Sequence, residues 1–440
     1  MTKLWLTVPN GHSLTNYGNT VDRNGNKLDF AYDDLDRLVK KQVLYDGQAE
    51  KVEFSYDKLG NRTKMEDSSG ITGYEYDDLG RLGKISRNNG IALAYSYDLL
   101  DRKLGMTLTQ TGEKHLDIRY EYDKIGKLTR ISEQGRAVRY QYDDANRLLA
   151  QINDVTGAET RYTYNPGGML TGLLNKKGAE IIAQYEYEYD KRGNQVKKVE
   201  QDGTSQYYYD SLSRLKTDIL PNDVIQDYSY EKLGNLAELI ENRNGRIKET
   251  SYIYNKNSQL LLQEEKEGSE SGQFRFEYDA NGNQLKKDEI RYRNGSVVVE
   301  KNSTFRYDGF NQLRELTTGD GKSVRYSYNG DGLRTKKEID EEATDFTYDG
   351  QDVIFETDGI GAFKAKNFFG LDLVSRQTAD DIYYYLFNGH GDVTHLLNEK
   401  GDILKDYRYD PFGKDVQEPL QLTPGKTTIS LWRNLCCCRK

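Results

Sequence analysis

The chain has 440 residues, with 71 Asp and Glu against 62 Lys and Arg, which gives a formal net charge of −9. Basic residues are spread along the chain rather than gathered in a stripe, which argues against a nucleic-acid surface. No apolar run approaches the length of a membrane span, and residues 1–9 are too weakly apolar to predict a signal peptide. The three cysteines are the consecutive Cys436, Cys437 and Cys438, which excludes a disulfide framework.

One short motif recurs along almost the whole chain, and residues 74–82 show it most completely as Tyr-Glu-Tyr-Asp-Asp-Leu-Gly-Arg-Leu. Its second aromatic residue recurs from Tyr32 to Tyr348 in fourteen steps of about 23 residues, which indicates a repeat architecture. The residues that we assign to this motif are Tyr56, Asp57, Gly60, Tyr74, Tyr76, Asp77, Gly80, Arg81, Tyr120, Tyr122, Asp123, Gly126, Tyr189, Asp190, Gly193, Tyr209, Asp210, Tyr278, Asp279 and Gly282.

Each copy of the motif predicts half of a β-hairpin. The two aromatic residues at i and i+2 share one face of a strand, and the residue between them is usually polar, as at Glu75. Four residues after the marker aromatic comes Gly, Asn, Asp or Ser, the residue types that tolerate positive φ in a tight turn. Asn-Gly and Asp-Gly pairs such as Asn89-Gly90 then predict a second turn that closes the unit.

The predicted fold is therefore all-β, with about seventeen tandem antiparallel hairpins that pair edge to edge in one long sheet. A twisted sheet of some thirty strands cannot stay flat and must coil or close. We expect matching tyrosines to form a ladder of cross-strand aromatic pairs on one face, with polar residues on the other.

The motif resembles the YD repeat of the RHS (rearrangement hotspot) family, which includes bacterial polymorphic toxins, wall-associated proteins, insecticidal toxin-complex subunits and teneurins. A later segment is similar to the opening of the RHS-associated core. The residues that carry this second similarity are Gly389, His390, Gly391, Asp392, Tyr409, Asp410, Pro411 and Gly413.

The resemblance implies a spiral β-sheet that forms part of a hollow cocoon-like shell around a C-terminal toxin domain. It also implies a non-enzymatic role, and secretion or cell-wall association in the intact family. On this basis we expect a lead-in over residues 1–24, repeats over 25–350, the start of the core over 351–415, and a divergent tail over 416–440. Without a signal peptide, the location of this chain as written is expected to be cytoplasmic or unknown.

The sequence departs from the family pattern after Gly413-Lys414. The second block of the core is missing and no toxin domain follows, so we interpret the chain as a truncated fragment. The tail ends in three cysteines followed by Arg-Lys, which is typical either of translation in a shifted frame or of a variable tip acquired by recombination.

Other possible sites are better explained by structure than by chemistry. His390 and His395 with Asp392 could be drawn as a metal site, but a tight turn explains His390, and no matched set of ligands recurs. The Asp after each Tyr pair could be drawn as a calcium array, but an isolated Asp before a turn favours an Asx-type cap. We predict no catalytic residue, metal or cofactor.

Three functional hypotheses follow. The first is a non-enzymatic shell that would encapsulate and deliver a toxin. The alternative is a cell-surface or wall module that binds glycan or a receptor through tyrosine-rich rims. The third is an inactive remnant. None of them involves nucleic acid or a membrane span.

Overall fold

The computed structural model describes residues 16–409, 412 and 413. Within them are 36 strands and one short 3₁₀ helix, Pro221–Asp223, and the strands belong to one antiparallel sheet. The prediction of an all-β fold built from tandem hairpins is confirmed. Among the described residues no helix is long and apolar enough to span a membrane.

The strands, numbered along the chain, are β1 (Asn16–Val21), β2 (Lys27–Tyr32), β3 (Leu38–Tyr45), β4 (Gln48–Tyr56), β5 (Arg62–Asp67), β6 (Gly70–Tyr76), β7 (Leu82–Arg87), β8 (Ile91–Tyr97), β9 (Lys103–Gln110), β10 (Glu113–Tyr122), β11 (Leu128–Glu133), β12 (Arg136–Tyr142), β13 (Leu148–Asn153), β14 (Ala158–Tyr164), β15 (Leu170–Lys177), β16 (Glu180–Tyr189), β17 (Gln195–Glu200), β18 (Gly203–Tyr209), β19 (Leu215–Leu220), β20 (Val224–Tyr230), β21 (Leu236–Arg243), β22 (Arg246–Tyr254), β23 (Leu260–Glu267), β24 (Glu270–Tyr278), β25 (Gln284–Arg293), β26 (Ser296–Tyr307), β27 (Leu313–Thr317), β28 (Ser323–Tyr328), β29 (Arg334–Ile339), β30 (Glu342–Asp349), β31 (Asp352–Asp358), β32 (Phe363–Phe369), β33 (Leu373–Thr378), β34 (Ile382–Phe387), β35 (Val393–Leu397) and β36 (Ile403–Asp406).

A β-bulge sits at the marker tyrosine in hairpin after hairpin. Between β6 and β7, for example, Glu75 pairs with Lys84 but Tyr76 pairs with Leu82, so the register shifts by one residue. The same shift precedes Tyr32, Tyr142 and Tyr278. A bulge bends the strand and increases its twist, and here it leads the chain into the turn that follows each marker.

The contacts divide the chain into two compact units. Of the described residues, the first comprises 16–120, 188–345 and 358–362, and the second comprises 121–187, 346–357, 363–409, 412 and 413. This division differs from the boundaries expected from the sequence, which stay a prediction. The hydrogen-bonded repeat turn already occurs at Asp22, whose N–H donates to the Asn26 carbonyl at 3.0 Å. The divergent tail over 416–440 lies outside the described residues.

In the first unit, apolar side chains alternate along strands that bury one face. On β4, Val52 and Phe54 are buried, whereas Ser55 beyond them is exposed. Together with Met65 on β5 they form a buried cluster. This is the half-buried alternation that the repeat motif predicts.

In the second unit, the strands of the core segment lose that alternation. Five successive residues of β31, from Val353 to Thr357, are buried, as are four successive residues of β32, from Ala365 to Phe368. Strands buried on both faces need partners on each side. These strands therefore form the interior of the second unit.

Candidate functional site

The Asp of the motif closes the turn that follows it. We number the turn from this Asp as position 1, so that the Gly is position 4. Asp77 donates its N–H to the Arg81 carbonyl and accepts the Gly80 N–H, each at 2.9 Å. Its Oδ1 accepts the N–H groups of Leu79 at 3.0 Å and Arg81 at 2.9 Å. These bonds, chiefly that from the Arg81 backbone, hold the pKa of the Asp77 carboxyl below its ordinary value.

The same pattern of bonds to Oδ1 recurs at the other aspartates of the motif. The carboxylates that show it are those of Asp57, Asp123, Asp190 and Asp210. In Asp279, Oδ1 accepts the backbone N–H of position 5, and Oδ2 accepts the side-chain amides of Asn24 and Asn283. Position 4 has positive φ throughout, from +76° at Gly80 to +98° at Gly282 among the motif glycines. Asn146 and Ser213 take the same conformation, which explains the residue types at this position.

Where position 5 is an arginine, as at Arg37, Arg81 and Arg147, its side chain connects that turn to the next. Arg81 Nε donates to Asp77 Oδ2 at 2.7 Å, while Nη1 donates to the Asp98 carbonyl of the following turn at 2.8 Å. Its guanidinium also lies 5.0 Å from the ring centroid of Tyr97, the next marker. The same stacking of a guanidinium on the next marker ring occurs for Arg37 over Tyr56, Arg147 over Tyr164 and Arg214 over Tyr230.

The hydroxyl of the marker tyrosine reaches back to the preceding repeat. Tyr76 Oη donates to the Arg62 carbonyl at 3.0 Å, and Tyr209 Oη to the Gln195 carbonyl at 2.8 Å. Burial raises the pKa of the Tyr76 hydroxyl above its ordinary value, so it remains a donor. The other markers that make this bond are Tyr56, Tyr97, Tyr142, Tyr164, Tyr230, Tyr278, Tyr307 and Tyr328.

The first aromatic of the motif at Tyr74 lies within strand β6 and packs against the buried cluster of Val52, Phe54 and Met65. The guanidinium of Arg62 lies 4.8 Å from the ring centroid of Tyr74, and burial raises the pKa of that hydroxyl. The structure thus brings the Tyr, Asp, Gly and Arg of adjacent repeats together as structural contacts. Sequence analysis identified the Asp cap but missed the arginine bridge. The signal for it was the recurrence of a basic residue at position 5, at Arg37, Arg81, Arg102, Lys127, Arg147 and Arg214.

The core motif also forms a turn, and it is docked onto another part of the second unit. Gly389 N–H donates to Tyr187 Oη at 2.8 Å, and the His390 ring stacks on Tyr187 with centroids 6.0 Å apart. Gly391 has φ of +83°, and Asn388 Oδ1 accepts the Asp392 N–H at 3.0 Å.

The other residues that sequence analysis singled out in the core segment are Tyr409, Asp410, Pro411, Gly413 and His395. Tyr409 stacks on Tyr407 with centroids 6.5 Å apart, and Gly413 has φ of +77°, whereas Asp410 and Pro411 lie outside the described residues. Burial lowers the pKa of His395. No group of three metal-ligating side chains occurs in the described part of the chain.

Two later turns of the first unit lie directly on its early strands. Gly309 N–H donates to Glu50 Oε2 at 2.9 Å, and Gly330 N–H donates to Asp67 Oδ2 at 2.6 Å. Lys41 Nζ donates to the Gly330 carbonyl at 2.7 Å. Both glycines occupy position 2 of their turns, and an added Cβ would collide with Val43 at Gly309 and with Val52 at Gly330. We call this contact the turn seam.

Beside the turn seam, one ion pair joins the same two elements. Arg62 donates from Nη1 and Nη2 to the two carboxylate oxygens of Asp331, both at 2.7 Å. This bidentate geometry fixes orientation as well as charge. It raises the pKa of the Arg62 guanidinium, since the hydrogen bonds to Asp331 favour the charged form.

The second unit has a comparable contact with buried charges. Lys366 Nζ on β32 lies 2.7 Å from Glu133 Oε1 on β11, and the two side chains are 9% and 1% exposed. Arg376 makes a second buried pair, with Nη1 and Nη2 at 2.6 and 2.8 Å from the Glu356 carboxylate. Tyr140 Oη accepts the Leu371 N–H at 3.1 Å.

Two family models match parts of this chain. The family model described as Teneurin YD-shell matches residues 12–210, and the RHS Repeat model matches residues 307–345. The chain matches the RHS/YD-repeat family. The resemblance seen in the sequence is thereby confirmed.

Among curated relatives, the tRNA3(Ser)-specific nuclease WapA of Bacillus spizizenii is 26% identical over 306 residues, which are 68% of this chain and 12% of the relative. The double-stranded DNA deaminase toxin A of Burkholderia cenocepacia is 24% identical over 418 residues, covering 84% of this chain and 26% of that protein. The YD-repeat chain thus spans a small part of each relative.

The solved structure of TcdB2-TccC3-TEV matches with a TM-score of 0.42 and 13% identity, over 94% of this chain and 29% of that chain. The activities in these names belong to the proteins named.

Proposed function

We propose that this YD-repeat chain is a non-enzymatic wall that, in an intact protein, encapsulates and delivers a C-terminal toxin domain. The turn seam is the observation that carries the proposal. Turns at Gly309 and Gly330 close against earlier strands without room for a single methyl group. Late turns that dock this closely on early strands of the same unit suit a wall that encloses cargo, because they hold distant parts of the sheet together.

The polar groups of the motif support a structural rather than a chemical role. The aspartates are occupied by backbone N–H groups, the arginines by carbonyls and rings, and the marker hydroxyls by carbonyl oxygens. A catalytic carboxylate or hydroxyl needs to reach a substrate in at least one step. Groups consumed by turn and inter-repeat bonds are poorly placed for that.

The proposed partner is the toxin domain of an intact homologue, and the proposed location of the intact protein is secreted or wall-associated. The names of the relatives, nucleases and a DNA deaminase toxin, support a toxin context. The glycan-binding alternative lacks a comparable observation, because marker rings such as Tyr56 and Tyr97 already carry a guanidinium on one face.

A fusion protein tests the wall. A protease-sensitive reporter domain would be placed behind Lys440, and its cleavage compared with that of the free reporter. We expect the fused reporter to be cut at least about tenfold more slowly. Gly309→Val with Gly330→Val, which forces the turn seam apart, should restore rapid cleavage. Equal cleavage of the fused and free reporters would rule out encapsulation by this chain.

A further inference from the structure

Four turns on successive hairpins of the first unit each carry an exposed leucine at position 3. Leu35 is 67% exposed, Leu59 82%, Leu79 69% and Leu100 70%. We call them the rim leucines. Leu99, at position 2 of the last of these turns, is 97% exposed and widens the apolar surface there.

The turn geometry makes this exposure obligatory. Each rim leucine donates its backbone N–H to Oδ1 of the position-1 Asp, at 2.8 to 3.0 Å, so the turn cannot rotate to bury the side chain. Arg37 joins the first turn to the second through the Asp57 carbonyl, and Arg81 joins the third to the fourth through the Asp98 carbonyl. The leucines therefore form a fixed row along one edge of the sheet.

Another layer of sheet is a poor occupant for this row. In the docked turns of Gly309, Gly330 and Gly389, position 2 is glycine, because an added Cβ would collide with side chains of the strands beneath. In the rim turns position 2 is Asp34, Lys58, Asp78 or Leu99, and all four are exposed. The rim turns lack the glycine at position 2 that lets the docked turns approach a strand. A partner other than a β-sheet is therefore needed to cover the rim leucines.

The spacing and charge of the row point to a helix. Successive hairpins lie two strands apart, which is about 9.6 Å, whereas residues seven apart on an α-helix lie about 10.5 Å apart. Four leucines span about 29 Å, the length of roughly 20 helical residues. Exposed Asp34, Asp36 and Asp78 flank the row against the single Lys58, which favours a basic partner.

We propose that the rim leucines bind an amphipathic, basic α-helix of a partner protein, with its apolar residues at heptad spacing. Four leucines on a rigid scaffold offer preorganised apolar contacts, and the flanking carboxylates select lysine or arginine beside the apolar stripe. This surface is separate from the turn seam, so the inference does not depend on the encapsulation proposal.

Fluorescence anisotropy with a designed peptide tests the proposal on the full chain. The probe is a labelled helix of about 24 residues, with leucine at the a and d positions of each heptad, lysine flanking them and alanine elsewhere. The test variant is Leu59→Ser with Leu79→Ser. The control variant is Leu212→Ser with Leu233→Ser, because Leu212 and Leu233 are also at position 3 and are 71% and 69% exposed. That pair lies between Arg192 and Asn257 at the same turn position, so it cannot form a four-leucine row.

We expect the test variant to weaken peptide binding at least about tenfold and the control variant to change it less than about twofold. A peptide of the same composition in scrambled order should bind at least about tenfold more weakly than the probe. Equal effects of the two variants, or equal binding of the scrambled peptide, would overturn the proposal. So would binding of the native chain to phosphatidylcholine or phosphatidylglycerol vesicles that the test variant alone loses, since that result assigns the row to a lipid surface.

Discussion

Glycine meets two different physical demands in the turns of this protein. At Gly80 the backbone has φ of +76°, a conformation that side chains rarely adopt, while the space around it is ordinary. At Gly330 the backbone is not in that region, but an added Cβ would lie 2.9 Å from Met65 Sδ and would collide with Val52. The first kind of glycine forms the turn, and the second allows the turn to dock.

We therefore expect Gly330→Ala to lower the free energy of unfolding by about 1–3 kcal/mol, the usual cost of overpacking a close contact. Urea denaturation followed by circular dichroism would measure it. Gly73→Ala is the matched control, because its Cβ would meet no atom closer than 4.0 Å. A control as destabilised as the test variant would show that loss of glycine flexibility, and not the contact, is responsible.

At the scale of elements, ion pairs hold later strands and turns onto earlier ones. The Arg62–Asp331 pair in the first unit is partly exposed, with side chains 27% and 38% accessible. Solvent screening reduces the value of such a pair, although its bidentate geometry adds to it. We expect Arg62→Gln to cost about 1 kcal/mol in unfolding free energy.

A double-mutant cycle would isolate that pair from the rest of the Arg62 environment. Asp331→Asn and the double variant complete the cycle, and thermal unfolding at low and high salt provides the readout. The coupling energy should be favourable and should fall as salt rises. Zero coupling at low salt would mean that the stacking of Arg62 on Tyr74 and Phe54 accounts for its effect.

The buried pair in the second unit should behave differently. Lys366→Met leaves Glu133 buried, with only the more distant Arg136 at 3.8 Å, and should cost about 3 kcal/mol in unfolding free energy. Glu133→Gln combined with Lys366→Met should recover most of the loss, because no uncompensated charge then remains. Lys64→Met, which breaks an exposed pair with Glu66, is the control and should change little. Chemical denaturation of the native protein, the Lys366→Met variant, the double variant and the Lys64→Met control would measure these differences in unfolding free energy.

At the scale of the whole molecule, tyrosine hydroxyls connect one repeat to the next along the chain. Each marker bond requires a protonated hydroxyl, since a phenolate cannot donate. Burial raises the pKa of the marker Tyr328 to about 12, from an ordinary value of 10.0. A raised pKa means that the folded state holds its proton more tightly than the unfolded state.

We accordingly expect stability to be fully present below pH 10.0 and to be lost as the pH rises toward about 12. Strand signal in circular dichroism and tyrosinate absorbance, recorded on the same titration, should change together as the repeats open. Titration of most tyrosines near their ordinary pKa, with the strand signal intact, would contradict this expectation.

The sequence alone determined the repeat, the strand and turn alternation and the Asx-type caps, because these depend on contacts within a few residues of Asp57, Asp77 and their equivalents. It predicted a tyrosine–tyrosine ladder, which stays a prediction. The described links between repeats instead include Arg81 over Tyr97 and a hydroxyl bonded to a carbonyl. The arginines at position 5 are visible in the sequence. Their contacts with the next repeat become apparent only when the next hairpin is placed beside the turn.

Only the tertiary structure decided which turns dock and which stay exposed. Gly309 and Gly330 look like ordinary turn residues in the sequence, yet they meet strands more than 250 residues earlier, as the bonds to Glu50 and Asp67 show. The same holds for Glu133 and Lys366, whose charges are paired across 233 residues. Local propensity specifies the hairpin, whereas the coiling of a long twisted sheet determines which hairpins meet, and no short window of sequence contains that geometry.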